Sequence, residues 1–192
     1  MSTAEMTFPA LYKRELMDAI ERIPLDKVNE AIEWFRQARA AGRTIFTCGN
    51  GGSASTASHF VCDIVKGASF QRSERFRMMS LNDSLATLTA YSNDVDYEVA
   101  FVEQLKNFAQ ADDVVLAISG SGNSPNVVKA VEYANSIGCR TIALSGRDGG
   151  KLGAAAQLNI QVSVPHMGRI EDTHMIICHM IGYYFMEERG AG

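Results

Sequence analysis

The chain has 192 residues, a length that one domain with a single buried core accounts for. Hydrophobic residues make up 46% of it and charged residues 21%, which excludes a disordered or collagen-like chain. Eighteen basic residues against 22 acidic ones give a formal net charge of −4, which argues against a dedicated nucleic-acid binder. No apolar run approaches the ~20 residues that span a bilayer, so we expect no membrane segment.

The cysteines and the first residues indicate the compartment. Residues 1–9 contain no basic segment followed by an apolar one, so they do not resemble a signal peptide. No two cysteines form a C-x-x-C pair, and all stand in apolar or helical contexts. We expect free thiols and a cytoplasmic protein. The cysteines are Cys48, Cys62, Cys139 and Cys178.

Two amphipathic helices are predicted at the start of the chain. Apolar residues recur at helical spacing over 11–23, up to a proline, and over 28–38, up to a glycine. We therefore expect one domain over the whole chain, with an N-terminal helical extension (residues 1–42) before an α/β core (residues 43–192).

Short β-rich runs alternate with helical patterns through the rest of the chain. This alternation predicts a parallel sheet covered by helices on both faces, and the nearly continuous apolar runs are typical of strands buried on both sides. The predicted strands are residues 44–48, 78–81, 114–118, 141–144 and 158–164, and the predicted helices are residues 53–66, 124–136 and 170–188.

A glycine-rich loop follows the first predicted strand, where residues 49–55 read GNGGSAS. Its three glycines allow a tight turn that exposes successive backbone N–H groups. Ser53 or Ser55 can cap the helix that follows. Because free N–H groups and the helix dipole attract anions, the loop favours a phosphate site. It lacks the Walker and G-x-G-x-x-G patterns, and a plain tight turn is the alternative.

A second loop of this kind follows the third predicted strand, where residues 119–125 read SGSGNSP. Ser124 is a natural N-cap, with a proline at the first helical position. The loop holds no lysine, so it would bind phosphate through hydrogen bonds and the helix dipole. Both loops lie at the carboxyl ends of strands, where ligands bind in open α/β sheets. Residues 145–151 form a third glycine-rich turn, which joins this rim or only connects a strand to a helix.

Two pairs of ionisable residues stand at helical spacing. His59 and Asp63 are four residues apart and share one helix face, and Glu171 and His179 are eight apart on the last helix. Two histidines and two carboxylates can act as general acids and bases or hold Zn²⁺. A structural role is the alternative for each residue alone. His174 competes with His179 on the same helix, and a further histidine, at 166, lies in a loop.

With these loops and ionisable residues the chain resembles sugar isomerase (SIS) domains and, among them, the phosphoheptose isomerases. Those enzymes interconvert sedoheptulose 7-phosphate and D-glycero-D-manno-heptose 7-phosphate through an enediol. The resemblance covers nearly the whole chain. It is carried by residues 48–53, 59–60, 93–94, 118–124, 146–151, 164–166, 169–170 and 179.

The resemblance implies a doubly wound, five-stranded parallel sheet and a homotetramer with active sites at subunit interfaces. It also implies an aldose–ketose isomerase with a sugar phosphate as substrate and a zinc ion as cofactor. Asp63 would be the catalytic base and His179 the acid. The implied zinc ligands are His59, Asp63, Glu171 and His179. The implied substrate and phosphate contacts are Asn50, Gly51, Gly52, Ser53, Asp94, Ser119, Gly120, Ser121, Ser124 and Glu171.

Three positions depart from the family pattern. Asp63 stands where the family has Glu, Glu171 where it has Gln, and Gly168 where it has Asp. These differences keep two alternatives open. One is an isomerase for a different sugar phosphate. The other is a non-catalytic SIS module that binds a phosphosugar or the bacterial replication initiator protein. The acid and the histidine that this chain retains favour an enzyme.

Overall fold

Five short strands form one parallel sheet in the computed structural model, which describes residues 6–188. Their order is β2-β1-β3-β4-β5, and every neighbouring pair is parallel. Helices cover both faces, which confirms the predicted doubly wound α/β fold. The strands are β1 (Thr44–Gly49), β2 (Arg77–Ser80), β3 (Val114–Ser119), β4 (Arg140–Gly146) and β5 (Leu158–Val162).

Eight α-helices surround this sheet. The described residues also include a π-helical turn, Asp63–Gly67, that continues α3, and a 3-10 helix, Tyr97–Val99, before α5. The α-helices are α1 (Phe8–Glu21), α2 (Leu25–Ala40), α3 (Gly52–Cys62), α4 (Leu85–Asp94), α5 (Val102–Phe108), α6 (Pro125–Ser136), α7 (Gly150–Ala155) and α8 (Met167–Glu187). Within residues 6–188, no helix combines the length and the hydropathy that a bilayer span requires.

The middle strand shows why the strand sequences are apolar without alternation. Val114, Leu116 and Ile118 of β3 enter one core, which α2, α3 and α8 close. Val115 and Ala117 point to the opposite face, into a second core closed by α5, α6 and α7. Successive side chains of a strand point to opposite faces, so a strand between two helical layers needs apolar residues throughout.

Three short or exposed helices were not predicted, namely α4, α5 and α7. None of the α4 residues is fully buried, so the helix carries no apolar stripe that periodicity could reveal. The other two have only seven and six residues. The predicted strand end at residue 164 and helix start at residue 170 were also wrong, since β5 ends at Val162 and α8 begins at Met167.

The strand order brings two of the glycine loops together. The chain runs outward from β1 to β2 on one side and continues through β3, β4 and β5 on the other. The loops after β1 and β3 therefore lie on either side of the point where the winding reverses. In open α/β sheets, ligands bind in the crevice at this point. We call these loops the first loop (residues 49–52) and the second loop (residues 119–124).

Candidate active site

A pocket of about 250 Å³ lies between the first and second loops. Nine of the ten substrate and phosphate contacts expected from the resemblance line it. The exception is Asp94, which is exposed at the end of α4 and accepts a hydrogen bond from Asn93. The lining consists of Asn50, Gly51, Gly52, Ser53, Ile118, Ser119, Gly120, Ser121, Ser124, Met167 and Glu171.

The first loop is held by a side chain that the sequence did not single out. Asn82 accepts a hydrogen bond from the Gly49 N–H over 3.1 Å and donates one to the Gly49 carbonyl over 2.8 Å. Gly51 then adopts a φ of +55°, which favours glycine, and α3 begins directly after it. The expected serine cap by Ser53 or Ser55 was wrong, because the helix starts at Gly52 and both serines lie inside it.

The second loop gathers three serine hydroxyls above the N-terminus of α6. Ser119 Oγ lies 3.3 Å from Ser121 Oγ and 3.2 Å from Ser124 Oγ. Ser124 is the N-cap residue of α6 and a proline follows it, as predicted, but its side chain makes no capping hydrogen bond, because its hydroxyl turns towards Ser119. Hydroxyls and the free N–H groups of a helix N-terminus can both donate to a phosphate.

The third glycine-rich turn supports the second loop from behind. The Leu152 N–H donates to the Gly122 carbonyl over 2.8 Å, and the Lys151 N–H donates to Asn123 Oδ1 over 3.1 Å. Gly122 has a φ of +66° and packs so closely against the Gly149 backbone that a Cβ would clash. This turn does not line the pocket, which favours the connecting role among the two that the sequence left open.

A second group of polar residues, the histidine–aspartate cluster, consists of His59, Asp63 and His179. The two Nε2 atoms of the histidines are 3.1 Å apart. Asp63 Oδ2 lies 3.3 Å from His59 Nε2 and 3.6 Å from His179 Nε2. Asp63 stands at the junction of α3 with its π-helical turn, a kind of irregularity that often occurs at functional sites.

These three residues fit a zinc ion. Asp63 Oδ2 is buried and accepts no hydrogen bond from the part of the chain that the structure describes. With bonds of roughly 2.0–2.1 Å, the ligand atoms of tetrahedral zinc stand about 3.3–3.4 Å apart. The three separations in the cluster bracket this value. Three protein ligands with a free fourth position are typical of catalytic rather than structural zinc.

Glu171 lies with the first and second loops and not with the cluster. A Cβ on Gly52 would come within 2.6 Å of Glu171 Oε1, so the carboxylate rests against the first turn of α3. Among the described residues, the group that can share one metal ion holds only His59, Asp63 and His179. Glu171 lies eight residues before His179 on α8, a distance of about 12 Å along the helix axis. The Glu171 side chain does not span this distance.

The competing histidine of α8 is part of the core. His174 is fully buried, and its Nε2–H donates to the Ser145 carbonyl over 3.1 Å. Burial lowers the pKa of His174 to about 4, so it is neutral at ordinary pH. It faces β4 rather than the pocket and serves the structural role that the sequence left open. His166 is exposed before α8 and packs edge-on against Tyr12.

The departure at Gly168 has a local reason. A Cβ at this position would lie 2.9 Å from the Tyr12 hydroxyl, which donates to Asp172 over 2.6 Å. The same contact raises the pKa of Tyr12, because the Asp172 carboxylate favours the protonated phenol. Arg169 forms an ion pair with Glu15 beside it. Helix α1 is thus fastened to α8 where a larger residue at 168 would interfere.

Comparisons with known proteins show the family to which the chain belongs. A family model of the SIS domain matches residues 12–146 of the chain. The phosphoheptose isomerase of Citrifermentans bemidjiense is 38% identical over 167 residues, which cover 87% of this chain and 86% of that protein. The phosphoheptose isomerase of Geobacter sulfurreducens is 36% identical over 168 residues, 88% of each chain.

A solved structure has the same fold over nearly its whole length. It is that of phosphoheptose isomerase GmhA from Neisseria gonorrhoeae, with a TM-score of 0.85 and 31% identity. The likeness covers 93% of this chain and 96% of that one. On these matches the chain belongs to the SIS domain family and, within it, to the phosphoheptose isomerases.

Proposed function

We propose that this protein is an aldose–ketose isomerase that converts sedoheptulose 7-phosphate to D-glycero-D-manno-heptose 7-phosphate. The observation that carries the proposal is the sharing of two helices by the two sites. Helix α3 begins at the first loop, carries His59 and continues into the π-helical turn that starts at Asp63, and α8 carries both Glu171 and His179. The two helices pack against each other. A sugar phosphate held by the loops is thereby brought to groups that can move protons.

The loops bind the phosphate of the substrate without a paired cation. Ser119, Ser121 and Ser124 donate from one side, and backbone N–H groups at the starts of α3 and α6 donate from the other. Both helix dipoles point their positive ends at the anion. Hydrogen bonds to a charged acceptor contribute more than neutral ones, which compensates for the missing lysine.

The cluster transfers the proton between the two carbons of the sugar. Asp63 removes the proton from the carbon next to the carbonyl while His179 donates a proton to the carbonyl oxygen, which gives the enediol. Asp63 then returns its proton to the former carbonyl carbon while His179 accepts the proton of the other enediol hydroxyl, which leaves the aldose. His59 stands beside this base, with its Nε2 atom 3.3 Å from Asp63 Oδ2. A zinc ion held by His59, Asp63 and His179 would supply Lewis-acid polarisation of the substrate oxygens.

A panel of ketose phosphates tests this function. Five- to seven-carbon ketose phosphates are incubated with the protein, with and without a chelator, and the aldose product is quantified. We expect sedoheptulose 7-phosphate to give the highest kcat/KM. A higher kcat/KM for a five- or six-carbon sugar would favour the isomerase for a different substrate. Binding without any turnover would favour the non-catalytic module.

Assembly and location belong to the same proposal. Large apolar side chains are exposed on the N-terminal helices and on α4, among them Phe8 at 66% and Leu85 at 69%. A homotetramer would cover such surfaces and complete the active site at subunit interfaces. Light scattering should then give the mass of four chains of 20.9 kDa each. All four cysteines are free thiols, which supports a cytoplasmic location.

A further inference from the structure

A reciprocal pair of asparagines joins the first loop to the helix behind the second loop. Asn50 Nδ2 donates to Asn126 Oδ1, and Asn126 Nδ2 donates to Asn50 Oδ1, each over 2.9 Å. Asn126 lies in the first turn of α6 and is only 1% exposed. Its oxygen also accepts the Val127 N–H over 3.0 Å, so its orientation is determined by the helix.

Tyr97 adds a third hydrogen bond to this pair. Its hydroxyl donates to Asn50 Oδ1 over 2.7 Å. Tyr97 begins the 3-10 helix, which the Asp96 side chain caps. An ion pair of 2.7 Å between Lys129 and Glu98 ties this short helix to α6. The tyrosine and Asn126 therefore approach Asn50 from two elements that are themselves fastened together.

These contacts use most of the hydrogen-bonding capacity of the Asn50 amide. Its oxygen has two lone pairs, and two donors face it, Asn126 and Tyr97. Its nitrogen has two hydrogens, and one goes to Asn126. One N–H is left for a ligand in the pocket. Asn50 therefore acts towards the ligand as a donor, and the atom opposite must be an acceptor such as a phosphate or hydroxyl oxygen.

We propose that Asn126 and Tyr97 are positioning residues that hold the Asn50 amide with its free N–H turned towards the substrate. Of the described residues, the pocket lining includes Asn50 but neither of these two. They act through Asn50, and they also hold the two loops at a constant separation. The identity of the substrate as a sugar phosphate rests on the proposed function; the orientation of Asn50 does not.

Asn126→Asp is the sharpest test, because one hydrogen bond of the pair then forms only when the introduced acid is protonated. An ionised carboxylate cannot donate to Asn50 Oδ1, whereas the protonated acid restores both hydrogen bonds. Relative to wild type, KM of the variant should rise about fivefold as pH increases through the ionisation of this Asp, whose pKa burial raises above the ordinary value of about 3.9, while relative kcat stays constant. Asn107→Asp, on the exposed face of α5, should follow wild type at every pH.

Tyr97→Phe tests the other donor without adding a charge. It should raise KM about threefold to fivefold, the effect of one lost hydrogen bond, and leave kcat unchanged. Tyr133→Phe, farther along α6, is the matched control and should keep the wild-type KM. In an Asn50→Ala background, neither Tyr97→Phe nor Asn126→Asp should change KM further, because both act through the missing amide.

Wild-type KM in both variants across the pH range would overturn the proposal, as would a lower kcat at unchanged KM. Full additivity with Asn50→Ala would also overturn it. If Asn126→Asp fails to fold, KM of Tyr97→Phe and the double-mutant cycle of Tyr97→Phe with Asn50→Ala test the proposal by themselves. Calorimetric titration with inorganic phosphate separates the two proposals. If the wild type does not isomerise sedoheptulose 7-phosphate but both variants bind phosphate more weakly, the proposed activity is wrong and the positioning role stands.

Discussion

The pocket between the first and second loops and the histidine–aspartate cluster consist of different chemical groups. The pocket offers backbone N–H groups, hydroxyls and one amide at the ends of β1 and β3, and among residues 6–188 its only charged lining residue is Glu171. The cluster consists of three ionisable side chains on α3, its π-helical turn and α8. Neutral donors suit a ligand group whose charge does not change, whereas titratable groups suit a proton in motion. The comparison indicates that binding and chemistry reside in separate groups.

The largest expected effect tests whether the cluster performs the chemistry. Asp63→Asn and His179→Gln preserve size but remove the base and the acid. Each should lower kcat by about 10²- to 10⁴-fold, the usual effect of losing a general acid or base. Calorimetry should find sugar-phosphate affinity within about threefold of wild type, since the loops remain. Wild-type turnover in both variants would contradict the division, and so would a loss of affinity that matches the loss of rate.

A second prediction separates the cluster histidine from the core histidine of the same helix. Because burial lowers the pKa of His174 from 6.5 to about 4, the unfolded chain binds a proton in this window while the folded one does not. The free energy of unfolding should therefore fall as pH decreases from 6.5 to about 4, by roughly 3 kcal/mol, and this contribution changes no further below that.

His174→Gln should remove this part of the pH dependence, because glutamine does not titrate. Urea denaturation followed by circular dichroism at several pH values measures it. His166→Gln, at an exposed position, is the control, and its free energy of unfolding should depend on pH as in the wild type. If the free energy of unfolding of the His174 variant depends on pH as in the wild type, groups other than His174 determine the loss of stability at low pH.

The third prediction concerns the pocket. Ser119→Ala combined with Ser121→Ala removes two of the three clustered hydroxyls. Affinity for sugar phosphate should weaken by about 1–3 kcal/mol, the effect of lost hydrogen bonds to a charged acceptor. The rate of turnover at saturating substrate should change little if these serines only bind. Calorimetry measures the affinity and steady-state kinetics the rate. Unchanged affinity would refute the assignment of the phosphate site to the second loop.

The smallest effect decides to which region Glu171 belongs. Its carboxylate lies beside the first turn of α3, close to the expected phosphate. Glu171→Gln should tighten phosphate binding a few-fold, because it removes a like charge partly screened by solvent. Zinc affinity, measured by competition with a chelator, should not change, whereas Asp63→Asn should lower it. A loss of zinc affinity in Glu171→Gln would show that Glu171 takes part in metal binding with the cluster.

Much of this molecule follows from local sequence. Apolar periodicity predicted all five strands, both N-terminal helices and the last helix, and glycines and serines after strands indicated both loops that line the pocket. The spacing of His59 and Asp63 placed them on one helix face. The comparisons confirm the predicted family, and the strand order confirms the fold. These features depend on neighbouring residues, so the chain specifies them at short range.

Only the tertiary structure determined which residues distant in sequence contact each other. No pattern indicated that Asn82 would hold Gly49, or that Asn126 and Tyr97 would hold Asn50, because these pairs are 33 to 76 residues apart. The position of Glu171 at Gly52, away from His179, also depends on how α8 packs on α3. The sequence determined which groups are available near each strand end. Sheet order and helix packing determined which of them meet, because hydrogen bonds and ligand sites require contact within a few ångströms.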